Sequence, residues 1–185
     1  VGLVIRCDSY LRPEPRFEGR RRESLKSWER LLEAAYHEEA SHPIFIALRD
    51  TVRRNNIPIA PFSSLLNAFQ IDLTKTRYGS FNELRSYCAN SANPVGQLVL
   101  YVHGHHEPEL HRFSDEICSA LQIANFLQDV SVDIPRGRCY LPEEDLLHFG
   151  VEHEELLAGD STEAFLELMQ FSVSRARAMF HRGQP

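Results

Sequence analysis

The stretch that decides the fold is QIANFLQDVSVD, which spans residues 122–133. Because each residue of an α-helix turns by about 100°, the polar side chains of this stretch fall on one narrow stripe, made of Gln122, Asn125, Asp129 and Asp133. Most of the other positions are apolar, and no Lys or Arg occurs from residue 113 to residue 135. The stretch therefore predicts a mainly apolar helix with a single stripe of carboxylates and amides.

Two interpretations of this stripe are open. It could be the solvated face of a surface helix, which is the commonest fate of a polar helix face. A solvated face usually mixes both signs of charge, however, and carboxylates without cationic neighbours repel one another unless a cation neutralises them. Oxygen ligands one turn apart suit Mg²⁺, which keeps several waters and shares phosphate oxygens with its ligand. We therefore favour a magnesium-binding stripe centred on Asp129 and Asp133.

The segment after the stripe, IPRGRCYLP at residues 134–142, turns the chain and carries two arginines. Pro135 cannot continue a regular helix, and Gly137 lets the backbone turn sharply. Arg136 and Arg138 are thereby brought near the acids, where their guanidinium groups could bind phosphate oxygens in forked geometry. Acids for Mg²⁺ and arginines for phosphate suggest a diphosphate site. The open alternative is a helix C-terminus whose dipole is opposed by basic residues, which would explain one arginine alone.

Apolar residues at helical spacing predict helices almost throughout, and we find no strand alternation and no internal repeat. The segment from Ser27 to about Glu39 is amphipathic, and His42-Pro43 separates it from a helix that stops near Pro58. The next apolar face consists of Phe62, Leu65, Leu66, Phe69 and Leu73.

Two capping signals place further helices. Ser80 with Glu83 predicts a capping box at the start of a long helix, which Pro94 should kink. Asp160 with Glu163 predicts the N-cap of the last helix. The predicted fold class is therefore all-α.

Composition narrows the class of protein. The chain has 185 residues and 43% hydrophobic content, enough for one well-buried domain, and its net charge of −6 argues against a nucleic-acid binder. No apolar run approaches the length of a membrane span. The cysteines have neither metal nor disulfide spacing, which favours a reduced, cytosolic setting; they are Cys7, Cys88, Cys118 and Cys139.

Several motifs together resemble one known family. The pattern QxxNxxxDxxxD at 122–133, followed by RGRxYLP at 136–142, resembles the second aspartate-rich motif of the squalene/phytoene synthases. Residues 72–88 resemble the segment between the two metal motifs of that family, and SANPVG at 91–96 stands where most members have VAGxVG. This variant, together with Trp28-Glu29, is similar to the bacterial hopanoid-pathway branch of squalene or hydroxysqualene synthases. The resemblance covers about residues 21–182.

The resemblance implies an isoprenoid-synthase-type helical bundle that is incomplete at both ends. We divide the chain into a divergent or disordered Arg-rich arm at 1–22 and a partial isoprenoid synthase helical domain at 23–185. The first aspartate-rich motif of the family should fall near residues 8–12. Only Asp8 fits that motif, because Arg12 occupies the second acidic position.

The resemblance also implies roles for individual residues. The catalytic residues, which would also hold Mg²⁺, are Asn125, Asp129 and Asp133. The implied substrate-binding residues are Gln122, Arg77, Arg136, Arg138, Tyr140, Asn90, Asn93 and Gln97. Most members of the family have a Tyr near the position of Asn90, so this chain departs from the pattern there. For the hopanoid branch, the implied reaction converts presqualene diphosphate to hydroxysqualene, with water capturing the carbocation.

Three of these groups of side chains also have structural explanations. Asn90, Asn93 and Gln97 form a second polar stripe that could face the acids or could equally mark close helix packing. Arg77 could bind diphosphate or could pair with Asp72. The histidines at 103–111 look like a metal cluster at first, but they lack a recognised zinc spacing and more plausibly form a loop between helices.

Three functions remain open on the sequence alone. The first is a Mg²⁺-dependent synthase of the hopanoid branch acting on farnesyl or presqualene diphosphate; the second is a phytoene synthase-like condensing enzyme. The third is a catalytically impaired helical remnant that binds diphosphate or a partner protein. We expect a cytoplasmic protein, with peripheral association at the inner face of the membrane and contact with other hopanoid-pathway enzymes as open alternatives.

Overall fold

The computed structural model describes residues 21–37 and 40–184, and these residues form helices without any β-strand. In chain order the helices are α1 (Arg21–Tyr36), α2 (Pro43–Asn55), α3 (Ala60–Ile71), α4 (Phe81–Ser91), α5 (Asn93–Val102), α6 (Pro108–Gln128), α7 (Val130–Asp133), α8 (Glu143–Phe149), α9 (His153–Ala158) and α10 (Glu163–Arg182). A 3₁₀ turn, Ile134–Arg136, follows α7. The all-α prediction is confirmed. Within this part of the chain, no helix is both long enough and apolar enough to cross a bilayer.

The N-terminal predictions are tested only in part. Residues 1–20, which contain most of the expected Arg-rich arm and the region expected to hold the first aspartate-rich motif, lie outside the described residues. Helix α1 begins at Arg21, two residues before the predicted domain boundary and six before the predicted helix start at Ser27. Its buried positions are Leu25, Leu32 and Ala35, so the same apolar face simply extends one turn further back.

The capping signals are confirmed at one helix and wrong at the other. The Ser80 hydroxyl accepts a hydrogen bond from the Glu83 N–H at 3.2 Å, whereas the Glu83 carboxylate turns to the Gly79 N–H, so only half of the expected box forms. At α10 the N-cap is Thr162, whose hydroxyl accepts from the Phe165 N–H. Asp160 is too far upstream, because an N-cap side chain reaches only the N–H two or three residues ahead.

The predicted long helix is divided into α4 and α5 at Ala92. The backbone of Ala92 has φ −104° and ψ −49°, and Pro94 is the second residue of α5. Proline has no N–H to donate and fits only the first turn of a helix, so a new helix begins where the old one would have to bend. The kink expected at Pro94 is confirmed as a break between two helices.

Helix α6 is the centre of the fold and packs against α5 and α10. Three apolar clusters surround it. One lies among α1, α2 and α3 around Phe45; one joins α3, α4, α6 and α10 around Tyr78 and Met179; and one lies beneath α8 and α9 around Leu168.

Helices α5 and α6 are antiparallel neighbours that approach closely at Gly96. A Cβ added at Gly96 would lie 2.5 Å from Cys118 Sγ and closer still to the Ser114 hydroxyl. On either side of this point the pair is joined by hydrogen bonds, from Ser119 Oγ to Asn93 Oδ1 at 2.7 Å and from Gln97 Nε2 to the Asp115 carboxylate at 2.9 Å. The missing side chain of Gly96 is therefore what allows the two backbones to come together.

We predict that Gly96→Ala lowers the free energy of unfolding by about 1–3 kcal/mol, because its methyl group would force α5 and α6 apart. Chemical denaturation followed by circular dichroism measures this loss. Gly79→Ala is the matched control, since a Cβ there would meet only the Glu83 carboxylate at an ordinary 3.5 Å. Equal stabilities of the two variants would contradict the packing argument.

Candidate functional site

The acidic stripe, made of Gln122, Asn125, Asp129 and Asp133, stays on one face although the helix is interrupted at Asp129. Helix α6 ends at Gln128, and Asp129, with φ −96° and ψ 9°, separates it from the short helix α7. The helical hydrogen bonds continue across the break, from the Asp129 N–H to the Asn125 carbonyl at 2.9 Å and from the Asp133 N–H to the Asp129 carbonyl at 2.8 Å. The three predicted metal-binding residues therefore remain one turn apart, with Asn125 and Asp129 exposed and Asp133 half-buried.

The two acids are close enough to repel each other. Burial and the negative charge of Asp129 raise the pKa of the Asp133 carboxyl, and Arg136 and Arg138 oppose that rise. The segment with the two arginines, residues 134–142, which we call the basic turn, thus lies within electrostatic range of the acids, as the sequence predicted. Across the described ranges, no three Asp, Glu, His or Cys side chains converge closely enough to hold a metal ion.

Arg138 is held by Asp72 rather than left free. Its guanidinium donates to the Asp72 carbonyl at 2.8 Å, to the Asp72 carboxylate at 3.5 Å and to the Tyr140 hydroxyl at 3.2 Å. The Tyr87 hydroxyl donates to the other carboxylate oxygen of Asp72 at 3.0 Å. Burial raises the pKa of Asp72, while the Tyr87 hydrogen bond and the charge of Arg138 oppose the rise. The Asp72 carboxylate therefore joins three places in the sequence: the end of α3, Tyr87 on α4 and Arg138.

The alternative pairing of Arg77 with Asp72 is wrong. The nearest acid to Arg77 is Glu143, at 3.8 Å, and the Arg77 side chain is 56% exposed. Asp72 is taken by Arg138 because the basic turn folds back over the end of α3. The Arg77 guanidinium is thus available to a ligand, but its role in binding one stays a prediction.

Residues 76–78 run beside the C-terminal end of the basic turn. The Cys139 N–H donates to the Thr76 carbonyl and the Glu143 N–H to the Tyr78 carbonyl, both at 2.9 Å. The Phe81 N–H at the start of α4 donates to the Glu144 carboxylate at 2.7 Å. Sequence reasoning missed this pairing, because neither segment has strand alternation and no local signal shows which distant loop a loop will meet.

Aromatic rings pack beneath the acidic stripe. Phe126 and Tyr140 are stacked, with ring centroids 3.8 Å apart, and Tyr78 and Tyr87 lie against Tyr140 at 5.8 and 6.2 Å. Burial raises the pKa of all three tyrosines. Tyr140, predicted to bind substrate, thus lies in a stacked aromatic layer behind Arg138, and direct contact with substrate stays a prediction.

The second polar stripe, Asn90, Asn93 and Gln97, bonds to residues of neighbouring helices other than the acids Asp129 and Asp133. Asn93 is buried on Ser119, and Gln97 donates to Asp115. Ser119 precedes Asp129 by ten residues, about 15 Å along a helix. Asn90 accepts a hydrogen bond from Asn67 of α3 at 3.1 Å. Their roles in substrate binding stay predictions. The amides that share a face with the acids are those of Asn125 and of half-buried Gln122.

The histidines between α5 and α6 form the loop that was expected. Residues 103–107 connect the two helices, and His111 lies in the first turns of α6, where its Nε2 is 3.2 Å from the His105 carbonyl oxygen. The rings of His106 and His111 pack on Tyr101.

Exposed apolar side chains extend away from the acids. Leu121, one turn before Asn125 on α6, is 50% exposed. On α5, the exposed valine strip consists of Val95, Val99 and Val102. On another side of α6, a cavity of about 390 Å³ opens between α6 and α10; it is lined by Ala124, Leu127, Gln128, Met169, Val173, Ala176, Arg177 and Phe180.

The family model that describes the squalene/phytoene synthases matches residues 11–185 of this chain. The chain belongs to the squalene/phytoene synthase family. A phytoene synthase from Arthrospira platensis is 36% identical over 171 residues, which are 85% of this chain and 55% of that protein. The 15-cis-phytoene synthase of Synechocystis is 34% identical over 170 residues, covering 85% of this chain and 50% of that one. The chain spans about half the length of these curated relatives.

Solved structures of the family have the same fold. The crystal structure of squalene synthase HpnC from Alicyclobacillus acidocaldarius superposes with a TM-score of 0.85 and 39% identity, covering 88% of this chain and 62% of that one. A dehydrosqualene synthase bound to a ligand superposes with a TM-score of 0.81 at 21% identity, over 97% of this chain and 65% of that one. The predicted family and helical architecture are confirmed.

We predict that Asp133→Asn stabilises the metal-free chain at neutral pH by about 0.2–0.5 kcal/mol, the usual effect of removing a like-charge pair one helical turn apart. Urea denaturation in the presence of a chelator measures the change. Asp50→Asn is the matched control with the opposite sign, because Asp50 pairs with Arg54 at 2.8 Å in the same i, i+4 spacing. A loss of stability in Asp133→Asn would contradict the repulsion argument.

Proposed function

We propose that this chain carries one half of the diphosphate site of a Mg²⁺-dependent isoprenoid synthase, acting on farnesyl or presqualene diphosphate. The observation that carries the proposal is the acid pair, with exposed Asp129 between α6 and α7, half-buried Asp133 at the end of α7, and the basic turn folded back beside them. A helix face that only contacts water does not require two acids one turn apart with arginines folded back beside them. A divalent cation with a bound diphosphate would neutralise both sets of charges at once.

The residues of the stripe fit Mg²⁺. Asn125, Asp129 and Asp133 would supply oxygen ligands, which are the ligands Mg²⁺ prefers. Burial and the charge of Asp129 raise the pKa of Asp133, and a bound cation would oppose that rise. When bound, Mg²⁺ would act as a Lewis acid on the leaving diphosphate. As few protein ligands converge, water and phosphate oxygens would complete the coordination.

The side chains around the stripe would then bind and orient the diphosphate. Arg136 is exposed and within electrostatic range of Asp133, so its guanidinium can reach phosphate oxygens without leaving another partner. Arg77 keeps 56% of its side chain exposed and has a carboxylate only at 3.8 Å. Gln122 would line the pocket beside the metal ligands.

The prenyl chain would lie along the exposed apolar side chains that start next to the acids. Leu121 is the first of these, and the valine strip on the neighbouring helix α5 supplies further exposed apolar side chains. Burying such side chains against a prenyl chain is favourable, at about 25 cal/mol per Å² of apolar surface removed from water. Excluding water from this surface would protect a carbocation until the final capture step.

Two candidate reactions differ in their product, and each is supported by different relatives. The squalene synthase at 39% identity supports the conversion of presqualene diphosphate to hydroxysqualene or squalene in hopanoid biosynthesis. The curated relatives at 36% and 34% identity are phytoene synthases, which supports a condensing enzyme as the second candidate. Asn90 stands where most of the family has a Tyr, and an amide at this position is compatible with the first candidate, in which water captures the cation. Cytoplasmic location, peripheral membrane association and contact with other hopanoid-pathway enzymes stay predictions.

We predict that Asp129→Asn reduces Mg²⁺-dependent binding of inorganic diphosphate at least tenfold, because the exposed carboxylate is the more accessible of the two metal ligands. Isothermal titration with diphosphate, in Mg²⁺ and then in a chelator, measures the difference. Glu109→Gln, an exposed acid at the other end of α6, controls for the general loss of one negative charge. Equal binding by both variants would exclude Asp129 as a ligand.

We predict that the chain incubated with Mg²⁺ and presqualene diphosphate yields hydroxysqualene and free diphosphate, because water captures the cation, and extraction with mass spectrometry detects the product. Squalene would form only with an added hydride donor. A phytoene-like condensation product from farnesyl or longer prenyl diphosphates would instead favour the second candidate. Diphosphate binding without any product would favour a catalytically impaired remnant. If neither product nor Mg²⁺-dependent diphosphate binding is observed, the enzymatic proposal for this chain is wrong.

A further inference from the structure

The Asp72 carboxylate is a buried acid that none of the roles above includes. It lies at the C-terminal end of α3, where its side chain is 15% exposed, and it accepts hydrogen bonds on both oxygens. Tyr87 from α4 donates to one oxygen and Arg138 from the basic turn to the other. Burying a carboxylate is costly unless it is paired and hydrogen-bonded, so this arrangement has to be maintained by the fold.

Arg138 is fixed by Asp72 at two points. One terminal nitrogen donates to the Asp72 carbonyl, which is one of the last carbonyls of α3, and the other donates to the Asp72 carboxylate and the Tyr140 hydroxyl. A cation at the C-terminal end of a helix is also favoured by the helix dipole. The guanidinium plane is thereby held in one orientation and is 29% exposed.

The main chain of the same residue is tied to the acidic stripe. The Arg138 N–H donates to the Asp133 carbonyl at 3.0 Å, and the Gly137 N–H donates to the Ile134 carbonyl at 2.9 Å, which closes the turn. Arg138 thus links α3, through its side chain, to Asp133, through its backbone. Arg136, two residues earlier in the same turn, is carried along with this link.

We propose that Asp72 is a positioning residue for the diphosphate site: by holding the Arg138 guanidinium against α3, it fixes the basic turn, and with it Arg136, beside Asp129 and Asp133. This inference rests on the proposed function and changes one part of it. Arg138 acts chiefly as the anchor of the turn, and the phosphate oxygens are bound by the more exposed Arg136 and Arg77.

The charge and the shape of the pair can be tested separately. Asp72→Asn keeps the shape of the side chain and the main-chain carbonyl that accepts from Arg138, but it removes the carboxylate charge that pairs with the guanidinium. Arg138→Lys keeps the positive charge but cannot bridge a carbonyl and a carboxylate with one planar group. Asp145→Asn is the matched control, since it breaks another buried Asp–Arg pair, to Arg175 on α10.

The first measurement is the affinity for inorganic diphosphate in Mg²⁺, by isothermal titration on the whole chain. We expect a five- to twentyfold loss for Asp72→Asn and for Arg138→Lys, and no further loss in the double variant, because both single changes release the same turn. The control Asp145→Asn should lower the thermal unfolding midpoint while leaving the affinity within twofold. Affinity of Asp72→Asn within twofold of the wild type would overturn the proposal.

The second measurement is the NMR signal of the Arg138 Nη1–H group, which donates to the Asp72 carboxylate and the Tyr140 hydroxyl, in arginine-labelled protein. We expect a signal protected from solvent exchange in the wild type and in Asp145→Asn, and loss of that protection in Asp72→Asn. If Asp72→Asn does not fold, Tyr87→Phe removes a single hydrogen bond from the same carboxylate and should weaken diphosphate binding two- to fourfold; unchanged affinity would overturn the proposal. Failure of the wild type itself to bind diphosphate would instead overturn the proposed function.

Discussion

The enclosure of α6 by its neighbours is the constraint on which the rest of the structure depends. Helix α5 approaches one side of it so closely that Gly96 has no room for a side chain, and α10 covers another side. Ala120, Ile123 and Phe126 are buried as a result, while Leu121, Asn125 and Asp129 keep access to solvent. In the mainly apolar C-terminal half of α6, packing therefore decides which side chains can meet a ligand.

Local contacts cannot hold the basic turn beside that stripe. A proline and a glycine allow the turn to form, but they do not determine where it goes. Its position comes from residues more than sixty positions earlier in the chain, through the Asp72 carboxylate and through the backbone pairing of Cys139 with Thr76. The family's two matching segments, 72–88 and 122–142, are thus parts of one physical unit. A substitution in one segment would therefore alter the position of the other.

What could be predicted from the sequence follows this division between local and distant effects. Helical periodicity, the Ser80 cap and the break at Pro94 are local, and they gave the fold class and the position of the acids. The partners of Asp72 and Arg77 depend on which loops meet in the fold, and there the sequence pairing was wrong. The amides of Asn93 and Gln97 looked equally suited to a ligand or to close packing, and only the approach of α5 to α6 shows that they have partners within the helix pair.

The acid pair links stability to ligand binding. Asp129 and Asp133 repel each other within one helical turn, so the arrangement costs free energy that a neutral pair would not. In the proposed site, three oxygen donors would leave positions of a magnesium ion open to phosphate oxygens, whereas a further protein acid would add repulsion. Metal and diphosphate should therefore strengthen each other's binding, and this coupling is reciprocal by thermodynamic necessity. The proposed site would therefore bind the cation weakly on its own and more strongly together with the charged substrate.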